Sequence, residues 1–188
     1  FVNASAGIEA LGIPTVVGRQ AGPDVHPRGN PHFNLDPEGY RTMARNVASG
    51  LTALSPKDAD AIKARLARIE LTIDEKSKEW KARLDRCPRR AFIEGHDAWI
   101  YFAKRFDLEI VAKLEPKPGL SPTPGHLAGV IEIGLERGVP IVVCRPLYRD
   151  VGEKVALAIG AEAVLLPLSS TTAGPTTGWF AFMDFVVA

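Results

Sequence analysis

Two histidines with similar surroundings are the residues of this chain best suited to chemistry. His32 lies in the segment Asn-Pro-His-Phe-Asn-Leu-Asp-Pro, and His96 lies in Glu-Gly-His-Asp-Ala-Trp. Each leads into a predicted helix that starts at or near an aspartate, Asp36 or Asp97. Neutral imidazole is the commonest metal ligand among side chains. A fold that brought the two rings together would create a metal site, in which the two aspartates either orient the rings or cap the helices.

The alternative for both histidines is a loop side chain that merely bonds the backbone. Two other histidines favour such ordinary roles. His126 follows Pro-Thr-Pro-Gly in the first turn of a predicted helix, where packing or capping is expected. His26 lies in a Gly/Pro-rich loop and is predicted to be solvated, with occasional ligation left open.

Two helices must position the first of these loops. Asp36 and Pro37 are typical of a helix start, and Ser55-Pro56 ends that helix and begins the next one. Apolar residues then recur at helical spacing over about 30 residues, which predicts a helix about 45 Å long. Their positions are Ile62, Leu66, Ile69, Ile73, Trp80 and Leu84. We interpret this long helix as a strut between two lobes.

The second loop belongs to a region of alternating short strands and helices. Strands are predicted at 91–94, 108–112, 140–144 and 163–166, with helices at 98–106, 122–137 and 149–159 and a last one from residue 179. This pattern indicates an α/β fold with a mostly parallel sheet covered on both faces. Ligands of such sheets bind beyond the carboxyl ends of the strands, where His96 is expected. We predict a partial N-terminal lobe at 1–55, the linking helix at 56–86 and a C-terminal α/β lobe at 87–188.

Composition excludes several classes of protein. A net charge of +1 in 188 residues argues against a nucleic-acid surface. No apolar run approaches the roughly 20 residues of a membrane span, and no signal peptide is recognisable. The chain begins at Phe1-Val2-Asn3 like the tail of a strand, which predicts a processed or truncated piece. The two cysteines, Cys87 and Cys144, are expected to be buried free thiols, with a disulfide as the alternative.

Motifs of catalysis are scarce. The chain contains no G-x-S-x-G, no G-x-x-x-x-G-K-[ST] and no H-E-x-x-H. The hydroxyl-rich run at 169–172, followed by Gly174, is predicted to be a plain loop. The proline-rich segment 114–124 is either a stiff wall of the ligand cleft or an ordinary connection.

Several segments together resemble the zinc/manganese solute-binding receptors of ABC importers. Residues 30–37 resemble that family's N-P-H-x-W-L-D-P signature, with Asn34 in place of Trp. Residues 96–106 resemble its second signature, H-D-x-[WF]-x-Y-F-x-x-x-[FY]-G-[LI], with Asp107 in place of Gly. Shorter stretches at 2–9, 115–119 and 122–127 are similar to segments of the zinc-type branch.

The resemblance implies two α/β lobes joined by a long helix, with a metal ion between them held by His32 and His96. It also implies a further histidine upstream and, in many members, an aspartate near 167–171, where this chain has Pro-Leu-Ser-Ser-Thr. Imidazole suits zinc better than manganese, so Zn²⁺ is the expected cargo. The implied protein is a periplasmic or extracytoplasmic monomer that delivers metal to a membrane permease.

Two other functions remain open. An incomplete ligand set could serve a zinc hydrolase, for which Asp97 and Glu115 are the available bases. A degenerate receptor without metal would instead be an interaction module. For residues 1–188 alone we expect weak metal binding and apolar surface exposed where strands are missing. The metal affinity should decrease when the pH drops below the ordinary histidine pKa of about 6.5.

Overall fold

The structure is a computed structural model that describes residues 1–16, 18, 22–171 and 174–188. Of the segments discussed above, Val17 in the first apolar run and Thr172 in the hydroxyl-rich loop lie outside the described residues. Helices and strands occupy most of the chain from Pro37 onward, whereas the described residues before Phe33 form turns, bends and coil.

The first two helices form an antiparallel pair ahead of the sheet. Helix α1 spans Pro37–Leu54, and Asp36 caps it by accepting a 3.0 Å hydrogen bond from the amide of Glu38. A short 3-10 helix at Pro56–Asp58 leads into α2 at Ala59–Leu84. With 26 residues α2 is about 39 Å long, close to the strut predicted from periodicity.

The sheet has four parallel strands in the order β2-β1-β3-β4. The strands are β1 Ala91–Glu94, β2 Glu109–Lys113, β3 Ile141–Cys144 and β4 Glu162–Leu165. The helices between and after them are α3 Ile100–Phe106, α4 Pro124–Glu136, α5 Arg149–Ile159 and α6 Trp179–Val187. The predicted α/β fold is therefore confirmed, and every predicted strand lies within one residue of its observed bounds.

Alternating side chains of the strands enter two cores, one on each face. Phe92 of β1 packs in a core with Trp80, Phe102 and Phe182 from α2, α3 and α6. Its neighbour Ile93 belongs to the opposite core, which α4 and α5 cover. Both faces are thus covered, as a parallel sheet requires.

Helices α1 and α2 are attached to this α/β unit through α6. The ring of Tyr40 stacks on Trp179 at 3.9 Å, and Nε1 of Trp80 donates a 2.8 Å hydrogen bond to Asp184. The same helices leave an apolar groove of about 340 Å³ along their other side, where Val47 and Leu51 are exposed.

Two expectations about this region of the chain are wrong. Phe1-Val2-Asn3 does not belong to a strand, because it lies alongside no strand of the sheet and Phe1 is fully exposed. Cys87 is exposed rather than buried, because it sits in the turn between α2 and β1, while Cys144 at the end of β3 is buried as expected. Both are free thiols. Among the described residues, no helix is both long and apolar enough to cross a membrane.

Candidate metal centre

The fold brings His32 and His96 together at the carboxyl edge of the sheet. His96 lies two residues beyond the end of β1, and His32 immediately precedes the 3-10 helix Phe33–Leu35 that leads to α1. The centroids of the two rings are 5.5 Å apart, and the rings are nearly perpendicular. Residues 64 positions apart in sequence therefore face one another, as the metal hypothesis requires.

Asn30 connects the two histidine loops. Its side-chain Oδ1 accepts a 2.9 Å hydrogen bond from the amide of His32, and its Nδ2 donates a 2.8 Å bond to the carbonyl of Asp97. The Tyr101 hydroxyl donates to the carbonyl of Asn30 and accepts from the amide of Leu11. Asn30 thus links the two histidine loops through its side-chain amide.

Glu115 orients the His96 ring, a role for which the sequence suggests Asp97. Nδ1 of His96 lies 2.9 Å from Oε2 of Glu115, and both residues are buried, with 6% and 3% of their surface exposed. The same carboxylate oxygen accepts a 2.9 Å bond from the amide of Gly119. An Nδ1–H that donates to a carboxylate leaves Nε2 as the lone-pair nitrogen for a metal.

Asp97 neither orients the ring nor caps α3, so both expectations for it are wrong. Its carboxylate pairs with Nζ of Lys113 at 2.7 Å. The start of α3 is held instead by buried Glu94, whose Oε2 accepts from the amides of Ala98 and Trp99 at 3.2 and 3.0 Å. Burial raises the pKa of Glu94, and the ammonium of Lys113 at 3.2 Å from Oε1 opposes that rise.

Asp36 has the capping role but not the orienting one. Besides capping α1, its two carboxylate oxygens pair with the guanidinium of Arg105 at 2.6 and 3.0 Å. This ion pair joins the start of α1 to α3. The prediction for Asp36 is therefore correct as a helix cap, and its carboxylate is committed to Arg105 rather than to a histidine ring.

Burial makes His32 a poor base. The pKa of His32 is lowered to about 4, first by burial and then by the neighbouring His96 and His26 side chains. The ring is therefore neutral at neutral pH, which is the form that binds metal. The pH window expected from the ordinary histidine value does not apply to this residue.

Two side chains that were not assigned to the site also face it. Asp24 places Oδ2 at 3.7 Å from Nε2 of His96 and Oδ1 at 3.6 Å from Nε2 of His26. All three line a cavity of about 280 Å³ with Asn30 and Asp97. His26 is exposed as predicted, and its ring borders the candidate site. Within the described ranges, no group of three His, Cys, Asp or Glu side chains is already arranged to hold one ion.

The remaining expectations near the site concern His126 and the loop after β4. Nε2 of His126 lies 2.9 Å from the carbonyl of Lys113, and Thr123 caps α4 by accepting from the His126 amide. His126 thus has the packing role that was predicted for it. The described residues of the hydroxyl-rich run, 169–171, lie in a loop, and the Thr171 hydroxyl is hydrogen-bonded to that of Thr176 at 2.7 Å.

Sequence reasoning named Glu115 only as a possible base and missed its contact with His96. In the sheet, Glu94 of β1 pairs with Lys113 of β2, so residues two positions beyond each strand are neighbours. His96 and Glu115 occupy those two positions. The order of the strands, which the sequence did not reveal, is what makes the two residues adjacent.

A parallel α/β sheet with paired histidine loops at its carboxyl edge defines the chain as a candidate metal-binding protein. The model of the family described as "Zinc-uptake complex component A periplasmic" (ZnuA) matches residues 1–188. The chain belongs to this family.

Individual relatives agree with that assignment at low identity. The zinc-binding protein AdcA of Streptococcus pyogenes serotype M6 is 25% identical over 152 residues, which are 76% of this chain and 28% of AdcA. The high-affinity zinc uptake system protein ZnuA of Brucella abortus is 24% identical over 117 residues, covering 62% of this chain and 35% of that protein. A crystal structure of a zinc-bound ZnuA deletion mutant has a TM-score of 0.79 at 26% identity, over 99% of this chain and 65% of that one. The chain therefore spans about a third of the curated relatives it matches and about two thirds of the solved structure.

Proposed function

We propose that this chain is part of an extracytoplasmic receptor that binds Zn²⁺ and delivers it to the permease of an ABC importer. The observation that carries the proposal is the pair of histidine rings 5.5 Å apart, with Nδ1 of His96 held by Glu115. A metal ion is the ligand that two imidazoles facing one another select. The family's zinc-uptake description and the zinc-bound relative support the same cargo.

Zinc fits these residues better than manganese does. Imidazole nitrogen suits zinc, whereas manganese prefers sites made of carboxylate, carbonyl and water oxygen. In the proposed site His32 and His96 are the two nitrogen ligands, and Glu115 orients one of them. The receptor would act as a monomer whose partners are the metal and the permease, with no role for nucleic acid.

The proposed receptor is not an enzyme. A hydrolase would need a general base within reach of a metal-bound water. The two acids considered for that role have other partners, since Glu115 is bonded to His96 and Gly119 and Asp97 is paired with Lys113. The geometry therefore favours capture and release of the ion over chemistry on a substrate.

The domain organisation follows the same proposal. We place residues 1–55 with an N-terminal lobe, 56–86 in the linking helix and 87–188 in the C-terminal lobe. Support comes from α2, which follows α1 along the chain and contributes buried Ile73 and Trp80 to the core on the α6 side.

Zinc titration of the wild-type chain and of His32→Ala, His96→Ala and the double variant tests the function. We expect one equivalent of zinc to bind to the wild type and each single variant to lose at least about tenfold in affinity, because loss of a group that only orients a ligand already costs about 10–100-fold. His126→Ala is the matched control, because that histidine bonds a backbone carbonyl. The receptor function is refuted if the intact full-length protein binds zinc no more tightly than its double variant does.

A further inference from the structure

Asp24 is held next to the candidate site by a close backbone contact. The amide of Asp24 donates a 3.3 Å hydrogen bond to the carbonyl of Pro118. A Cβ atom at Gly119, whose φ is +78°, would lie 3.0 Å from both Pro23 Cγ and Asp24 Cβ. Glycine at 119 therefore lets the segment with Asp24 approach the turn after β2.

That turn is tied to the His96 ring through one carboxylate oxygen. Oε2 of Glu115 accepts from the amide of Gly119 and lies 2.9 Å from Nδ1 of His96. The backbone that carries Asp24 and the ring of His96 are thus positioned by the same group. As a result, the Asp24 carboxylate lies on the Nε2 side of the ring, which is the side available to a metal.

The distances suit ligands of one zinc ion. Two ligand atoms each about 2.0–2.1 Å from a tetrahedral zinc are about 3.4 Å apart, close to the 3.7 Å between Asp24 Oδ2 and His96 Nε2. Two imidazoles bound to such an ion have centroids about 5 Å apart, close to the 5.5 Å between His32 and His96. Each of the two pairs thus has a spacing close to that of ligands sharing one ion.

The Asp24 side chain can rotate at little cost. It is 51% exposed, so its torsions can change without unpacking the core. Its other oxygen faces His26, an exposed residue on the same cavity wall. Carboxylate is an established zinc ligand, and it would offset part of the charge of the ion.

We propose that Asp24 is a direct ligand of the zinc ion that His32 and His96 bind, in the place of the acid that the segment 167–171 lacks. This inference rests on the proposed function. It assigns the third ligand to the loop that precedes His32 rather than to the loop after β4.

The first test is zinc titration of Asp24→Asn, which removes the charge and keeps the size of the side chain. We expect the zinc Kd to rise at least about tenfold, a loss at least as large as that for a group that only supports a ligand. The matched control is Asp107→Asn, an exposed aspartate at the other end of α3, where asparagine tolerates the left-handed backbone. The control should bind zinc like the wild type.

The second test distinguishes a bond to the metal from an indirect effect. Asp24→Cys is made in a Cys87→Ser background and loaded with Co²⁺, with Asp107→Cys in the same background as control. A thiolate bound to cobalt gives an intense near-ultraviolet charge-transfer band, which we expect for Asp24→Cys alone.

The outcomes separate this inference from the proposed function. Weakened zinc binding by Asp24→Asn together with the sulfur band from Asp24→Cys supports direct ligation. If the wild type binds zinc and His96→Ala does not, but the sulfur band is missing, the Asp24 inference fails and the receptor function stands. Failure of the wild type to bind zinc overturns both.

Discussion

At the candidate site, one ring nitrogen of His96 is hydrogen-bonded to a protein side chain and the other faces the cavity. Its Nδ1 bonds to buried Glu115, and that bond fixes both the tautomer and the direction of Nε2. The role of Asp24 as a neighbour of Nε2 depends on the same arrangement. At the scale of residues, the Glu115 carboxylate thus holds the His96 ring through Nδ1 and leaves Nε2 facing the candidate site.

Removing that carboxylate should weaken metal binding without removing a ligand. We predict that Glu115→Ala raises the zinc Kd about 10–100-fold, because loss of a carboxylate that orients a ligating histidine typically has this effect. Competition with a chromophoric chelator measures the change. Glu136→Ala, at an exposed position of α4, is the control. An unchanged Kd for Glu115→Ala would show that His96 does not need its partner.

Acid should destabilise the metal-free protein through His32. Because the folded-state pKa of His32 is lowered from 6.5 to about 4, the unfolded state binds the proton first as the pH falls. Stability from this group is complete above pH 6.5 and is lost progressively towards pH 4. A fall of the His32 pKa from 6.5 to about 4 corresponds to about 3 kcal/mol of stability, which partial exposure of the ring reduces to about 1–2 kcal/mol.

Denaturation of the metal-free protein in chelator, at several pH values between 4 and 7, measures this loss. His32→Asn should flatten the dependence of the free energy of unfolding on pH, whereas His126→Gln should retain it. Equal slopes for His32→Asn and the wild type would contradict the assignment to His32.

The sequence predicted which histidines face one another, but not which acids accompany them. His32 and His96 stand in recognisable motifs, whose residue types indicate metal binding. Glu115 and Asp24 reach the site only because β2 lies beside β1 and because the segment at 22–24 packs on the turn at 117–119. Such contacts between distant segments leave no local pattern in the chain.

At the scale of elements, the turn between β1 and α3 determines where His96 points. Glu94 at the end of β1 accepts hydrogen bonds from the amides of Ala98 and Trp99, while Lys113 at the end of β2 pairs with both Glu94 and Asp97. The buried Glu94 carboxylate thus connects the end of β1 to the start of α3. This is why Asp97, although placed like a helix cap in the sequence, does not serve as one.

Loss of the Glu94 carboxylate should loosen that turn. We predict that Glu94→Ala lowers the free energy of unfolding by about 1–3 kcal/mol, because the two amides and Lys113 lose a buried partner. Chemical denaturation measures the change. Glu109→Ala, at the opposite end of the neighbouring strand and exposed, is the control. Equal stability of Glu94→Ala and the control would refute the role of Glu94 in the turn.

Elements were more predictable than their contacts. The start of α1 was predictable because Asp36 and Pro37 signal it locally, and β1 because a short apolar run follows the basic turn at 86–90. The strand proposed at Phe1 failed because strand-like residues form a strand only beside a partner. The local sequence predicts helix ends and strands, whereas the element that each strand or helix contacts depends on the whole fold.

At the scale of the whole molecule, the site joins two segments that α1 and α2 separate along the chain. His32 precedes α1 and His96 follows β1, so α1 and α2 separate them along the chain while the fold places them face to face. An ion bound to both would link the segments and favour the folded state over the unfolded one.

Zinc should therefore raise the melting temperature. At a free zinc concentration of about 100 times Kd we expect a stabilisation of about 2.7 kcal/mol, or roughly 5–10 °C for a chain of this size. Differential scanning calorimetry with zinc, and again after removal of zinc by chelator, measures the shift. Mg²⁺ is the control ion, since it prefers oxygen ligands. A shift of the same size with His96→Ala would place the stabilising ion elsewhere.

The most direct test of the central claim is a crystal structure of the zinc-loaded protein with anomalous diffraction recorded at the zinc edge. We predict one dominant anomalous peak, about 2.0–2.1 Å from Nε2 of His96 and from a ring nitrogen of His32. A dominant peak at His126 or Cys87, or none within reach of His32 and His96, would contradict the proposal that these two histidines bind the cargo.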